Sequence, residues 1–149
     1  MGTLSEALQG QRVYLDSNVF IYALEGVEPW ATPLRDVFIA MESGHFEATT
    51  SALTLAECLV RPFALALDDL VQLYQTVLSQ QPGLEIAPIH PDVLVSAARL
   101  RAQLGFKLPD AIHAATAQAM CCTALLTNDA GFKCMPGVQL FLLSDWAQA

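Results

Sequence analysis

The chain has 149 residues, 54% hydrophobic and 15% charged, which is enough apolar material for one compact domain and too much for intrinsic disorder. Eight Gly and eight Pro without a period exclude a collagen-like chain, and no apolar run approaches the ~20 residues of a membrane span. Fifteen Asp and Glu against seven Lys and Arg give a net charge of −8, which opposes binding of a phosphate backbone by bulk attraction and leaves the acids to be explained.

Residues 1–11 carry no basic stretch followed by an apolar block, so no secretory leader is read and a cytoplasmic location is the default expectation. Val13–Leu15 is β-rich and gives way at Asp16-Ser17-Asn18, three helix-capping residue types, to an apolar run read as a helix. Thr32-Pro33 opens a second helix through Met41, with Leu34, Val37, Phe38 and Met41 on one face. Phe46–Ser51 is expected as a strand, Leu53–Val60 and Ala64–Leu78 as helices interrupted at Pro62, and Leu84–Ala87 as a strand. Pro91–Leu104 is helical, Pro109 begins an Ala-rich helix, and Ala124–Thr127 and Val138–Leu143 are the last strands. Cys58, Cys121, Cys122 and Cys134 form neither a disulfide framework nor a zinc spacing and are expected as buried free thiols.

Five short strands alternating with six or seven helices indicate an α/β fold, a three-layer α/β/α arrangement around a central, mostly parallel sheet, with residues 1–149 as a single domain. Ligands of such sheets gather at the C-terminal strand ends. Asp16 ends the first strand, Glu57 lies in the first turns of the helix after the second, Asp110 opens a helix and Asp129 follows the fourth strand. Each has a structural alternative: Asp16 as a helix cap, Thr54–Glu57 as a capping box, Asp110 as a partner of a helix dipole, Asn128-Asp129 as a turn. Four caps have no reason to share one edge, however, whereas Mg²⁺ or Mn²⁺ needs several oxygen ligands there and would neutralise their mutual repulsion.

Four segments, VYLDSNVFI (Val13–Ile21), TSALTLAE (Thr50–Glu57), KLPDAIHAA (Lys107–Ala115) and LLTNDAGF (Leu125–Phe132), resemble in order and spacing those of PIN-domain nucleases, specifically the VapC-like toxins of bacterial toxin-antitoxin pairs. The resemblance spans nearly the whole chain. It implies an α/β/α fold, a Mg²⁺ or Mn²⁺ site, hydrolysis of RNA phosphodiester bonds, an antitoxin partner and a homodimer. It carries metal binding and catalysis to Asp16, Glu57, Asp110 and Asp129, and supporting polar roles to Asn18 and Thr127. Ser17 stands where relatives often have Thr, which keeps the hydroxyl. On this reading Asp16 and Asp110 are the first choices as direct ligands, and Glu57 and Asp129 bind through water or orient the nucleophile.

Arg61, Lys107 and Lys133 are each close in sequence to a site residue and are candidate phosphate contacts, or else solvated surface cations. His113, one helical turn after Asp110, is read as a hydrogen-bonding or packing residue, because the cation chemistry does not require it. Trp30, Phe38, Phe63, Phe106 and Tyr74 are assigned to core or partner surface, and Phe63, Leu65, Leu67, Leu70, Leu73 and Val77 either line an antitoxin groove or belong to the core. No Gly-rich phosphate loop is present. The rival readings are a metal-dependent DNA nuclease or phosphatase, and a catalytically silent α/β interaction module.

Overall fold

A computed structural model describes residues 2–147. In chain order the elements are α1 (Leu4–Leu8), β1 (Arg12–Leu15), α2 (Ser17–Glu25), α3 (Ala31–Glu42), β2 (Glu47–Ser51), α4 (Leu53–Ala64), α5 (Asp68–Gln80), β3 (Leu84–Ala87), α6 (Pro91–Leu104), α7 (Leu108–Ala119), β4 (Ala124–Thr127) and β5 (Gln139–Leu142), followed by a 3-10 turn at Leu143–Asp145. The strand order is β3-β2-β1-β4-β5 and every pairing is parallel, so the sheet expected to be mostly parallel is wholly so.

Alternation along the central strands divides the core. Val13 and Leu15 of β1 and Ala124 and Leu126 of β4 point into a cluster with α1 to α5, whereas Tyr14 and Leu125 point the other way, onto α6 and α7. Both faces are therefore covered, which is why these strands are continuous apolar runs. Ala111, Ala114, Ala115 and Ala117 are buried, and their small side chains let α7 lie close to the sheet. That approach brings the polar residues of α7 to the edge where β1 and β4 end.

Three expectations are corrected. Pro62 lies inside α4 and does not break it; in the last turn it forfeits only the amide bond to the Cys58 carbonyl, and its fixed φ suits a helix. The break comes at Leu65–Leu67, where Ala66 takes a left-handed φ of 53° and the Leu67 amide donates back to the Pro62 carbonyl at 2.9 Å, so Ala64 ends a helix where it was expected to start one. Cys58 and Cys122 are buried, but Cys121 and Cys134 are exposed, Cys121 because it occupies a left-handed position (φ 57°) just past α7. Helix α1 is an addition: the Thr3 hydroxyl accepts from the Glu6 amide while the Glu6 carboxylate accepts from the Thr3 amide, and Leu4 and Leu8 are buried.

Of the apolar residues expected at a groove or in the core, Phe63, Leu65, Leu67 and Leu73 are exposed, the first two by 62% and 56%, which removes them from the core. A cleft of about 450 Å³ between α2 and α3, with Leu24, Leu34 and Phe38 in its wall and Glu28, Arg35 and Glu42 beside them, is a second, mixed feature of the surface. Among the described residues no helix is long and apolar enough to cross a membrane.

Two glycines with similar backbones separate conformational strain from contact. Gly105, at φ +78°, ends α6 with open space where a Cβ would stand, whereas a Cβ on Gly83, at φ +83°, would lie 2.4 Å from the Met41 carbonyl oxygen. Gly105→Ala is expected to cost about 1–2 kcal/mol from the left-handed backbone alone. Gly83→Ala is expected to cost at least about 3 kcal/mol, because backbone must also move. Urea denaturation measures both, and equal losses would refute the contact argument.

Candidate active site

Asp16 leaves β1 and becomes the N-cap of α2, with Oδ1 accepting from the Ser17 amide at 2.8 Å. Its amide donates to the Leu126 carbonyl at 3.0 Å, continuing the pairing of β1 with β4. The Thr127 hydroxyl, at the end of β4, donates to Asp16 Oδ2 at 2.7 Å. The Thr127 hydroxyl oxygen in turn accepts from Asn18 Nδ2 at 3.2 Å and from the Asp129 amide at 3.0 Å, while Asn18 Oδ1 accepts from the Asn128 amide at 3.1 Å. Asn18 and Thr127 thus tie the exits of two neighbouring strands to one buried carboxylate.

The capping box given as the structural alternative at Thr54–Glu57 does not form, because α4 starts at Leu53 after Ala52 and Thr54 is turned inward. The Thr50 hydroxyl donates to the Leu15 carbonyl at 2.7 Å, so its contact with Thr54 Oγ1, also 2.7 Å, is one in which Thr54 donates. These two hydroxyls pin the start of α4 to the end of β1 and leave Glu57 free to face the site. Its Oε1 lies 2.5 Å from Nε2 of His113.

His113, expected as a hydrogen-bonding or packing residue, is fully buried inside the cluster and hydrogen-bonded through both ring nitrogens. Nε2 is also 3.5 Å from Asp16 Oδ1, and Nδ1 is 2.5 Å from the Tyr14 hydroxyl. Asp16, Glu57 and His113 each present a potential ligand atom within 4.8 Å of the others. Burial opposes the charged imidazolium, yet the hydrogen bond to Glu57 and the negative charges of Asp16, Glu57 and Asp110 outweigh it and raise the His113 pKa.

Asp110, in the first turn of α7, is half-buried and its carboxyl is pushed up to about 6. Burial is the largest cause, followed by the charges of Asp16 and Asp129 and a hydrogen bond with Asp129, with His113 acting in the opposite sense. Asp129 also accepts from the Gly131 amide at 2.9 Å, so its turn role is real. A carboxylate has about four acceptor directions, and one such bond leaves the rest available. The fold therefore brings all four predicted acids to one edge.

Among the described residues, no Lys or Arg lies within ion-pair distance of these acids. One buried and three partly buried carboxylates without a Lys or Arg among them are a donor set suited to a hard divalent cation, and the raised Asp110 carboxyl registers their net negative charge. Of the candidate phosphate contacts, Arg61 is held by Glu25 at 2.6 Å, and Glu25 also accepts from the Tyr74 hydroxyl. Lys107, at the N-cap of α7, and Lys133, in the loop after β4, are exposed.

The PIN domain family model matches residues 13–138. No curated protein matches the sequence. The structure is similar to that of a chain in a toxin-antitoxin complex from Klebsiella pneumoniae, with 27% identity, a TM-score of 0.64, and coverage of 85% of this chain and 94% of that one. It is also similar to a chain of the DNA-bound VapBC complex from Salmonella typhimurium (19% identity, TM-score 0.70, 89% and 98% covered). A third similar structure is VapC20 of Mycobacterium tuberculosis, described as a sarcin-ricin loop cleaving toxin (10% identity, TM-score 0.68, 80% and 92% covered). The family pattern extends from the strand that delivers Asp16 to the start of the last strand, and the chain belongs to the PIN domain family.

Proposed function

We propose that this chain is a single-domain, cytoplasmic, Mg²⁺- or Mn²⁺-dependent endoribonuclease and the toxin of a toxin-antitoxin pair. The observation that carries the proposal is the convergence of Asp16, Glu57, Asp110 and Asp129 at the C-terminal sheet edge, with Asp110 raised to about 6 by its neighbours. Membership of the PIN domain family and the likeness to the Klebsiella toxin-antitoxin chain support it. Asp16 and Asp110 would hold the cation directly, and Glu57 and Asp129 would complete the oxygen set directly or through water. When bound, the cation supplies Lewis acidity at the scissile phosphate. Thr127 and Asn18 keep the Asp16 carboxylate in one orientation, and Lys107 and Lys133 can meet flanking phosphates. Arg61 could do so only by releasing Glu25.

The exposed apolar side chains Phe63, Leu65 and Leu67 at the turn between α4 and α5 suit an antitoxin segment that buries them. The adjacent exposed pair Leu94-Val95 on α6 suits a homodimer contact.

Asp16→Asn keeps the shape of the side chain and removes its charge. It is expected to reduce RNA cleavage by the purified protein in Mn²⁺ by at least about 100-fold. Expressed in matched cells, wild type should generate new RNA ends and slow growth where the variant does not. Equal end profiles and equal growth would remove the toxin reading, and cleavage of DNA alone would replace it with the rival nuclease.

The pH dependence follows from Asp110. Its pKa is higher folded than unfolded, so the proton favours the folded state below the unfolded pKa, and that contribution is lost as pH rises through about 6. A cation must displace this proton. Calorimetric Mn²⁺ affinity is therefore expected to climb as pH is raised through about 6 and to level off above it. A flat profile across that window would contradict the assignment of Asp110.

For the partner surface, Phe63→Ser combined with Leu67→Ser should leave RNA cleavage intact while the cognate antitoxin no longer restores growth. Full neutralisation of that double variant would place the antitoxin elsewhere, with the cleft between α2 and α3 as the next candidate.

A further inference from the structure

We infer that His113 is a positioning residue for the cation site, its Nε2–H holding the Glu57 carboxylate beside Asp16 while the Tyr14 hydroxyl fixes the ring through Nδ1. The inference rests on the cation-site reading above and concerns a residue that this reading does not use.

The argument begins with hydrogen-bond bookkeeping. The two groups facing Nε2, Glu57 Oε1 at 2.5 Å and Asp16 Oδ1 at 3.5 Å, are carboxylate oxygens and can only accept. Nε2 must therefore carry a proton whether the ring is neutral or charged. Nδ1 faces the Tyr14 hydroxyl at 2.5 Å, and the phenol O–H can donate to the unprotonated Nδ1 of the neutral ring. Tyr14 and His113 are both fully buried and their rings meet edge-on, with centroids 5.7 Å apart, so neither can swing out to another partner.

Glu57 is the member of the cluster that needs such a partner. Its side chain is 30% exposed, and among the described residues its only hydrogen bond is the one from His113. Asp16, by contrast, is fixed by Ser17, Asn18 and Thr127. Without the imidazole, repulsion from Asp16 and the pull of solvent would both turn Glu57 away from the site. Because Nε2 is protonated and committed to Glu57, His113 acts through that carboxylate and is not itself a ligand, although its nitrogen lies within the same cluster.

The test uses the full chain without RNA. Mn²⁺ binding is measured by calorimetry, and the proton on the His113 ring is located by long-range ¹H–¹⁵N correlation before and after addition of Mg²⁺. His113→Leu is expected to weaken Mn²⁺ binding by about 10-fold or more. His113→Gln, whose amide can accept from Tyr14 and donate to Glu57, is expected to stay within about threefold of wild type. Adding His113→Leu to Glu57→Gln should cause no further loss, because both act on one interaction. The Nε2 proton should persist when Mg²⁺ binds.

Wild-type affinity in a folded His113→Leu protein would overturn the inference, as would loss of the Nε2 proton on Mg²⁺ binding, which would make His113 a ligand. If His113→Leu fails to fold, His113→Gln decides: a folded Gln variant that does not bind Mn²⁺ refutes positioning by hydrogen bond. Wild type that binds neither ion would overturn the cation-site reading itself, an outcome distinct from unchanged binding in the Leu variant.

Discussion

Asp16, Glu57, Asp110 and Asp129 meet at the C-terminal edge of the sheet with no Lys or Arg of the described residues within ion-pair distance, and their mutual repulsion is the constraint that the surrounding structure has to contain. Left to themselves, carboxylates this close would separate or take up protons. The Asp110 carboxyl, raised to about 6, shows that part of the repulsion persists in the folded chain. The rest is contained by backbone, hydroxyl and imidazole donors: Ser17 and Thr127 on Asp16, Gly131 on Asp129, His113 on Glu57. Ser17, Thr127 and His113 come from three different elements, α2, β4 and α7, so separating Asp16 and Glu57 requires separating elements that form the core.

The means of bringing them together is the alternation of β1. Val13 and Leu15 anchor the strand to one helical layer and Tyr14 to the other, so the residue that follows, Asp16, emerges between the layers at the sheet edge. Parallel pairing with β2 and β4 then delivers the start of α4, with Glu57, and Thr127, with the loop to Asp129, at the same edge. Helix α7 reaches it from the second layer because its buried face is mostly alanine, with His113 and Thr116 the buried exceptions. A bulkier face there would lift Asp110 and His113 away together.

Much of this was legible in the chain because it depends on short-range pattern. The strands at Leu84–Ala87 and Ala124–Thr127 and the helix at Pro91–Leu104 have the bounds their apolar runs and Pro caps predict. Pro62 was misleading because a proline near a helix end removes one hydrogen bond that the helix can spare, while the true stop, Ala66 in a left-handed conformation, carries no residue-type signal. Thr54 and Glu57 had the spacing of a capping box, yet the helix starts earlier, at Leu53, and tertiary hydrogen bonds take both side chains. The position of His113 depends on Tyr14, 99 residues away, and spacing along α7 could place it near Asp110 without revealing that partner. The signal that could have found it is a polar ring on the otherwise alanine-lined buried face of α7, where an unpaired imidazole would be costly.

The excess of negative charge gains a physical meaning from the same edge. A chain at −8 cannot gather a polyanion through its overall field, so any phosphate substrate must be drawn by local charge. On the proposed reading, a divalent cation among the acids offsets much of their negative charge where hydrolysis has to occur and would give the phosphate a Lewis-acidic contact, while exposed Lys107 and Lys133, close in sequence to Asp110 and Asp129, add local positive charge. The rest of the surface stays repulsive, so unproductive contacts with nucleic acid are weak while productive ones depend on the loaded site. Cation binding and substrate capture then become a single event, and the hydrogen bonds that hold Asp16 and Glu57 in place control both.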